Sequence, residues 1–268
     1  MDISIVIVNY NNKGFTLNCI KSIEESAFGN LKHEIIVVDN NSDDNIGQIL
    51  AWQHPKVIFI QNKNNIGMGA GNNVGLKRAR GKYVVVMNPD TLAFPSTFAK
   101  LFAYMEANSN VGVVGPKQYN PDKSVQDSCY RWPSLLTPFF RRTFLGRLGL
   151  SDWEIKRYLM QDYNKKTIRE VDWLLGSCLF MRTSALKEVG WFDERFFLYF
   201  EDTDLCRRFW NKKWRVVYNP EVEIIHNHNR ESARYPWYAF FMNMASRQHI
   251  KSWWRYVIKW GFRPPIAH

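Results

Sequence analysis

Three carboxylates stand close together in the sequence, directly after an aromatic-rich segment. Glu201, Asp202 and Asp204 follow residues 191–200, which are mostly aromatic. A carboxylate beside an apolar wall keeps a raised pKa and can remove a proton from a hydroxyl group. The alternative is a helix start, because the helix dipole favours acidic residues in the first turn. The residues alone leave both interpretations open.

The first half of the chain shows a regular alternation of predicted strands and helices, which must help to position these acids. Short β-branched runs predict strands at 3–8, 34–38, 57–60 and 83–87. The helix-like segments between them are 14–27, 42–53 and 67–80. Runs that are apolar on both faces are typical of buried parallel strands. This order predicts a doubly wound α/β sheet, in which ligands bind beyond the carboxyl ends of the strands.

The second half of the chain is less regular. It predicts strands at 111–114, 174–181, 214–218 and 222–226. Helices are predicted at 183–189 and 202–211. Residues 131–149 are basic, aromatic and interrupted by proline, which predicts a loop or short helices.

Polar clusters follow three of the predicted first-half strands, at residues 9–12, 39–42 and 88–90. Asp39 is placed to accept the N3–H of a uracil or thymine ring, although the local sequence favours a cap on the following helix. Asp90 suits a Mg²⁺ or Mn²⁺ ion bound to a diphosphate, although a polar proline turn is the simpler explanation. These clusters converge on one edge of the predicted sheet.

A glycine-rich segment at 65–75 opens a helix, and backbone amides at a helix N-terminus attract phosphate. It lacks the Lys-Ser/Thr ending of a P-loop and the dinucleotide-binding pattern of glycines. His226 and His228 follow the last predicted strand. They are either metal ligands, since imidazole suits Mn²⁺, or solvated loop residues.

Composition limits the classes of protein that fit. Apolar residues make up 46% of 268, enough for a large core, and the net charge of +11 favours an anionic partner. The four cysteines are scattered without metal or disulfide spacing, which favours a reducing cytosol. No signal peptide is recognised, and no apolar run approaches the ~20 residues that span a bilayer.

Residues 234–263 predict a basic amphipathic helix. Arg247, Lys251, Arg255 and Lys259 recur every four residues, and tryptophans lie on another side. Such a helix either rests on an anionic membrane surface or docks on the rest of the protein with its cations in water.

Together these motifs make the chain to about residue 232 resemble glycosyltransferase family 2, and within it the bacterial rhamnosyltransferase-type members. The segments that carry the resemblance are 6–11, 37–42, 65–75, 87–90, 173–177, 192–194, 201–205 and 226–228. The resemblance implies the α/β GT-A fold, a Rossmann-like, mostly parallel mixed sheet with flanking helices. A C-terminal amphipathic helical segment follows it. The expected division is a catalytic domain at 1–232, with donor half 1–115 and acceptor half 116–232, and a tail at 233–268.

The resemblance also implies roles for individual residues. Asp202 is the expected catalytic base, and Asp90 with His226 is expected to hold Mn²⁺ or Mg²⁺, with His228 as the fallback ligand. Asn88 replaces the first acid of the family's Asp-x-Asp motif, and Asn is a poorer cation ligand. The expected donor-binding residues are Asn9, Tyr10, Asp39, Asn65, Gly67, Gly71, Asn72, Asn88 and Asp90. The expected acceptor-binding residues are Trp173, Gly176, Ser177 and Glu201.

The activity implied is inverting sugar transfer from a nucleotide sugar, dTDP-L-rhamnose first and other dTDP- or UDP-sugars next. The expected acceptor is a lipid-linked saccharide at the cytoplasmic face of the inner membrane, in bacterial cell-surface polysaccharide synthesis. Homo-oligomers are compatible with the sequence. One alternative is a nucleotidyltransferase that makes a sugar nucleotide, although the loop after Asn9 lacks the expected Gly-rich, basic pattern. A nucleic-acid binder is disfavoured, because no recognition module is present.

Overall fold

The computed structural model describes residues 1–134, 137, 140, 152–227 and 244–261. Most of the predicted loop at 131–149, His228 and the first part of the tail therefore lie outside the described residues. No helix among the described residues is both long enough and apolar enough to cross a membrane.

A mixed sheet forms the centre of the molecule. Its strands are β1 (Ile3–Asn9), β2 (His33–Asp39), β3 (Ile58–Gln61), β4 (Tyr83–Met87), β5 (Thr91–Ala93), β6 (Val111–Tyr119), β7 (Val125–Gln126), β9 (Arg169–Glu170), β11 (Cys178–Arg182) and β12 (Arg215–His226). The main order is β3-β2-β1-β4-β11-β6-β12-β5, with β7 beside β6 and β9 beside β12. Strands β3, β2, β1 and β4 are parallel, whereas β11 runs antiparallel to β4 and β6. A separate pair joins β8 (Cys129–Tyr130) and β10 (Trp173–Leu174).

The strands are apolar on both sides because both faces of the sheet are covered. Val6 and Val8 of β1 point into one core cluster, whereas Ile5 and Ile7 point into the cluster on the opposite face. The covering helices are α1 (Lys13–Glu24), α2 (Ile46–Gln53), α3 (Met68–Arg78), α4 (Thr97–Ala107), α5 (Asp152–Tyr158), α6 (Thr183–Val189), α7 (Glu201–Asn211) and α8 (Met244–Trp260). The predicted doubly wound α/β architecture is confirmed.

Several boundaries differ from the sequence-based prediction, and three of the differences change where an element begins or how it is divided. The helix expected at 42–53 begins at Ile46, because the Ser42 amide and hydroxyl donate to Asp39 and hold a turn there. The strand expected at 174–181 is divided into β10 and β11 by a turn. The two strands expected at 214–226 form one strand, which continues past Pro220 with a register irregularity against β6 between Asn219 and Glu223.

Helix α8 packs against the catalytic part of the chain. Trp253 and Tyr256 are buried against Phe196 and Phe200 in a small apolar cluster. The docking interpretation of the tail is therefore correct for the inner face of α8. The division of the chain into a domain and a tail remains a prediction.

Candidate functional site

A cavity of about 210 Å³ opens beside the start of α7. It is lined by the ends of several elements, because the carboxyl ends of neighbouring strands meet at one edge of the sheet. Among the predicted site residues, those that line it are Asn72, Asn88, Trp173, Gly176, Ser177, Glu201, Asp202 and His226. The remaining predicted residues on described positions lie outside this lining.

Asp202 lies in the first turn of α7 and is 7% exposed. Its Oδ2 accepts a hydrogen bond from the Gly176 amide at 2.8 Å. Its Oδ1 accepts from the amide of Thr203 at 2.7 Å and from the Thr203 hydroxyl at 3.3 Å. Burial raises the pKa of Asp202, and these three donors favour its charged form.

Glu201 is the immediate neighbour of Asp202 and is equally buried, but it lacks such support. Its Oε2 has no hydrogen-bond partner among the described residues. Burial, followed by the nearby charge of Asp202, raises the pKa of Glu201 to about 8. Two adjacent buried carboxyl groups do not readily ionise together. The hydrogen bonds to Asp202 therefore favour the negative charge of the pair on Asp202 and the proton on Glu201.

Asp204 has a different role from the two acids before it. It is completely buried, and its carboxylate pairs with Arg208 at 2.9 Å and with Lys259 at 2.6 Å. The indole Nε1–H of Trp260 donates to it at 2.7 Å. Because helical residues two apart point in different directions, Asp204 binds α8 whereas Asp202 faces the cavity.

The left-handed backbone at Tyr199 and Phe200 is a further feature of this site. These residues have φ values of 68° and 67° and directly precede Glu201. Bulky residues rarely adopt this conformation, which costs roughly 1–3 kcal/mol at each position. The surrounding packing must therefore maintain the backbone that sets the direction of the carboxylate pair.

Asp90 and His226 meet at another part of the site, with 3.4 Å between Asp90 Oδ1 and His226 Nε2. The opposite ring nitrogen of His226, Nδ1, lies 2.7 Å from Gln126 Oε1. An amide oxygen only accepts, so this contact assigns a proton to Nδ1. In the neutral imidazole the lone pair is then on Nε2, and it faces the Asp90 carboxylate.

This pair suits a divalent cation. Adjacent ligands on an octahedral ion with ~2.1 Å bonds lie about 3 Å apart, close to the distance between Asp90 and His226. A metal-binding histidine is commonly oriented by a hydrogen bond at its other ring nitrogen, and Gln126 offers this bond to His226. Within the described ranges, no three His, Cys, Asp or Glu side chains form a metal-binding group. The donor set therefore fits an ion that takes its remaining ligands from a diphosphate and water.

Asn9 and Asp39 are paired in register at the ends of β1 and β2. The Asn9 amide donates to Asp39 Oδ1 at 2.8 Å, and the Ser42 hydroxyl donates to the same oxygen at 2.6 Å. Among the described residues, Oδ2 accepts a hydrogen bond from the Ser42 amide alone, at 2.9 Å. Tyr10 is 45% exposed beside them. Asn9 thus positions Asp39, whose contact with a nucleobase remains a prediction.

The glycines of the 65–75 segment are explained first by close packing within the protein. Gly67 has a φ of 90°, and a Cβ there would lie 2.5 Å from the carbonyl oxygen of Phe197. A Cβ on Gly71 would lie 3.0 Å from Val8. Asn65 Oδ1 accepts from the Gly67 amide at 3.0 Å and thereby fixes the turn. Their role toward a donor remains a prediction.

Asn72 extends from α3 to the cavity. It is almost fully buried, and its Oδ1 has no hydrogen-bond partner among the described residues. A buried acceptor without a partner costs about 1–3 kcal/mol, which a ligand hydroxyl would relieve. Asn72 is therefore placed to bind a polar group in the cavity.

The predicted acceptor residues surround the other side of Asp202. A Cβ on Gly176 would lie 3.2 Å from Asp202 Oδ2, so the absence of a side chain permits its amide to approach. The Ser177 hydroxyl donates to Gln118 at 2.8 Å. Trp173 stacks on Tyr130 with ring centroids 4.3 Å apart. Aromatic faces of this kind commonly contact sugar rings.

Sequence reasoning missed several residues at the cavity. Gln126 orients His226, Tyr130 supports Trp173, and His249 enters from α8. None of the three lies within a recognisable motif. Only the aromatic character of the surrounding segments offered a signal.

The mixed, mostly parallel sheet with helices on both faces matches the GT-A fold of solved glycosyltransferases. Residues 4–190 match the model of glycosyl transferase family 2, and the chain belongs to this family. The predicted family and fold are thus confirmed.

Two relatives with curated names are rhamnosyltransferases. The chain is 30% identical to an N-acetylglucosaminyl-diphospho-decaprenol L-rhamnosyltransferase of Mycobacterium tuberculosis, over 87% of this chain and 80% of the relative. It is 25% identical to rhamnosyltransferase WbbL of Escherichia coli, over 95% of this chain and 92% of the relative. Among solved structures, the mannosyltransferase PcManGT of Pyrobaculum calidifontis, in complex with GDP-Man and Mn²⁺, gives a TM-score of 0.64 at 18% identity. That match covers 98% of this chain and 66% of the other.

Proposed function

We propose that this glycosyltransferase transfers a sugar, with inversion, from a nucleotide-sugar donor to a hydroxyl group of a saccharide acceptor. The observation that carries the proposal is that Asp202 and His226 line one cavity. Inverting transfer needs a base at the acceptor and an electrophile at the leaving diphosphate. The two residues supply one group for each end of the reaction.

Asp202 is the proposed catalytic base. As the acceptor oxygen bonds to the anomeric carbon of the donor sugar, the bond from that carbon to the diphosphate oxygen breaks. The hydroxyl proton passes to Asp202, and the nucleoside diphosphate departs with the bonding electron pair. Hydrogen bonds from Gly176 and Thr203 hold the carboxylate in place and in its charged form. Glu201, as the protonated member of the pair, is the proposed hydrogen-bond donor to the acceptor.

Asp90 and His226 are the proposed ligands of Mn²⁺ or Mg²⁺. When bound, a divalent cation neutralises charge on the departing diphosphate. Gln126 keeps the Nε2 lone pair of His226 directed toward Asp90. His228 lies outside the described residues and remains the proposed fallback ligand. Asn88 lines the cavity beside His226 and is assigned to the donor.

The donor extends from this cavity along the ends of the first strands. At about 210 Å³ the cavity is smaller than the ~300–1,000 Å³ typical of ligand pockets. We therefore assign it the sugar and place the base near Tyr10 and Asp39. Asn65, Gly67, Gly71 and Asn72 line the proposed path between them, and Asn9 supports Asp39. On the acceptor side, Trp173, Gly176, Ser177 and Glu201 keep their predicted roles.

L-Rhamnose from dTDP-L-rhamnose is the proposed sugar, with other dTDP- or UDP-sugars as the alternatives. Support comes from the L-rhamnosyltransferase of Mycobacterium tuberculosis, whose name also specifies a diphospho-decaprenol acceptor. By analogy the acceptor here is a lipid-linked saccharide used in cell-surface polysaccharide synthesis.

Such an acceptor requires contact with a membrane, for which we propose the outer face of α8. Arg247 and Lys251 are exposed there, and Trp254 and Ile258 are 51% and 81% exposed. Lys259 does not contribute, because it pairs with Asp193 and Asp204 inside the protein. Of the four cations predicted to form the basic row, Lys259 is therefore not available to a membrane surface.

Arg255 is also engaged, since its guanidinium donates to the Arg195 carbonyl. Arg247 and Lys251 have no ion pair among the described residues; at ~1 kcal/mol each, with partial insertion of Trp254, they would give reversible binding at the cytoplasmic face. Cosedimentation with anionic vesicles tests this proposal. The double variant Arg247→Glu/Lys251→Glu should lose binding, whereas Lys21→Glu/Lys56→Glu, with the same charge change on other exposed positions, should keep it. Equal loss in both variants would contradict a specific surface.

A donor panel tests the activity itself. Nucleotide sugars, with and without Mn²⁺, are first ranked by the shift of the thermal unfolding midpoint, since a ligand that binds only the folded state raises it. The best donor is then incubated with a saccharide acceptor. Release of a nucleoside diphosphate with a new glycoside supports the transferase. Pyrophosphate exchange without glycoside formation would instead support the alternative nucleotidyltransferase.

A further inference from the structure

Helix α8 contributes one side chain to the wall of the cavity. His249 lines the cavity together with Glu201 and Asp202. Its ring centroid lies 5.0 Å from that of Tyr199 and 5.3 Å from that of Phe200. An imidazole is thus placed against the two left-handed residues that lead into the carboxylate pair.

Polar contacts fix α8 in this position at both ends of the aromatic segment. The Ser252 hydroxyl donates to the Leu198 carbonyl at 2.8 Å. Lys259 pairs with Asp193 at 2.7 Å and with Asp204 at 2.6 Å. Since both acids are mostly or wholly shielded from water, these pairs are expected to fix the register of α8. The location of His249 therefore follows from a defined docking geometry.

The side of the cavity that holds His249 is the side that an acceptor must occupy. In an inverting displacement the acceptor approaches the sugar from the face opposite the leaving diphosphate, and the base must touch its hydroxyl. The diphosphate end is marked by Asp90 and His226. His249 lies instead on the wall that carries Glu201 and Asp202.

We propose that His249 is an acceptor-binding residue whose imidazole hydrogen-bonds a hydroxyl group of the acceptor saccharide. An imidazole both donates and accepts, which suits a sugar hydroxyl, and the adjacent Tyr199 and Phe200 rings offer apolar faces to the sugar. Helix α8 then completes the acceptor site in addition to packing against Phe196 and Phe200. This inference rests on the proposed transferase activity.

Acceptor kinetics with a water-soluble, lipid-free saccharide acceptor test the proposal and remove membrane binding from the result. Loss of one hydrogen bond should raise the acceptor KM of His249→Ala about tenfold. The donor KM should stay within about twofold, because the diphosphate end is untouched. His249→Gln, which keeps a neutral donor and acceptor, should recover much of the loss.

His54→Ala is the matched control, because His54 pairs with Glu24 and does not line the cavity. An unchanged acceptor KM in a folded His249→Ala overturns the inference, as does an equal rise of donor and acceptor KM. If the rise occurs only with phosphorylated acceptors and Gln does not restore it, the hydroxyl assignment is wrong. If the wild-type protein transfers no sugar, the proposed function fails and this inference with it. Thermal unfolding shows that each variant is folded.

Discussion

Asp204 of α7 holds α8 in place, whereas Asp202 faces the cavity. We therefore predict that Asp204→Asn causes a large loss in the free energy of unfolding. The substitution keeps the shape and one acceptor for Trp260, but it removes the charge that pairs with Arg208 and Lys259. Breaking a buried ion pair costs about 3–5 kcal/mol. Because Arg208 and Lys259 retain 15% and 19% exposure, water partly compensates them, and we expect about 3 kcal/mol.

Urea unfolding measures this effect, with Asp202→Asn as the matched control two residues away. Within the described part of the chain Asp202 pairs with no cation, so Asp202→Asn should cost only about 1 kcal/mol, because one of its two oxygens, which accept the Gly176 and Thr203 amides, becomes a donor. A double-mutant cycle with Lys259→Met should show a coupling energy above about 1 kcal/mol. A loss below about 0.5 kcal/mol for Asp204→Asn would refute the assignment of Asp204 as the anchor of α8.

Three further substitutions have definite expected outcomes. The pKa of Glu201 is raised to about 8 from 4.5, so the stability of the folded protein falls as the pH rises through that window. The thermal midpoint of Glu201→Gln relative to wild type should therefore increase from pH 5 to pH 8. A constant difference between the two midpoints would contradict this prediction. Asp90→Ala should abolish the Mn²⁺-dependent increment in nucleoside diphosphate affinity measured by calorimetry, and an unchanged increment would place the metal elsewhere. Gly67→Ala should cost at least about 2 kcal/mol in urea unfolding, because its Cβ would overlap the Phe197 carbonyl, whereas Gly14→Ala, which meets no atom within 4 Å, should cost nothing.

The first half of the fold was predictable because it is encoded locally. Strands such as Tyr83–Met87 are apolar on both faces, and both faces are in fact covered. The sequence-based prediction joined β10 and β11 because apolar residues lie on both sides of Gly176 and Ser177. These two small residues are the only local sign of the turn between the strands. Pro220 had the opposite effect, since it suggested a break that β12 bridges by a shift in register.

The site was predictable only where a motif carries it. Asp202, Asp90 and His226 lie in segments that resemble the family, and the structure places them around one sheet edge. The separate role of Asp204 depends on Lys259 and Trp260, more than fifty residues later, and no local pattern reveals such a pairing. His249 was hidden for the same reason, because only the docking of α8 brings it to the cavity.

The most direct test of the proposed mechanism is the transfer rate of Asp202→Asn at saturating donor and acceptor. The amide keeps the size of the side chain but cannot take a proton at neutral pH, and loss of a general base costs ~10²–10⁴-fold in rate. We expect a loss in this range, while calorimetry gives an unchanged donor affinity in the presence of Mn²⁺. Near-normal turnover in Asp202→Asn, together with inactivity of Glu201→Gln, would contradict the assignment of the base.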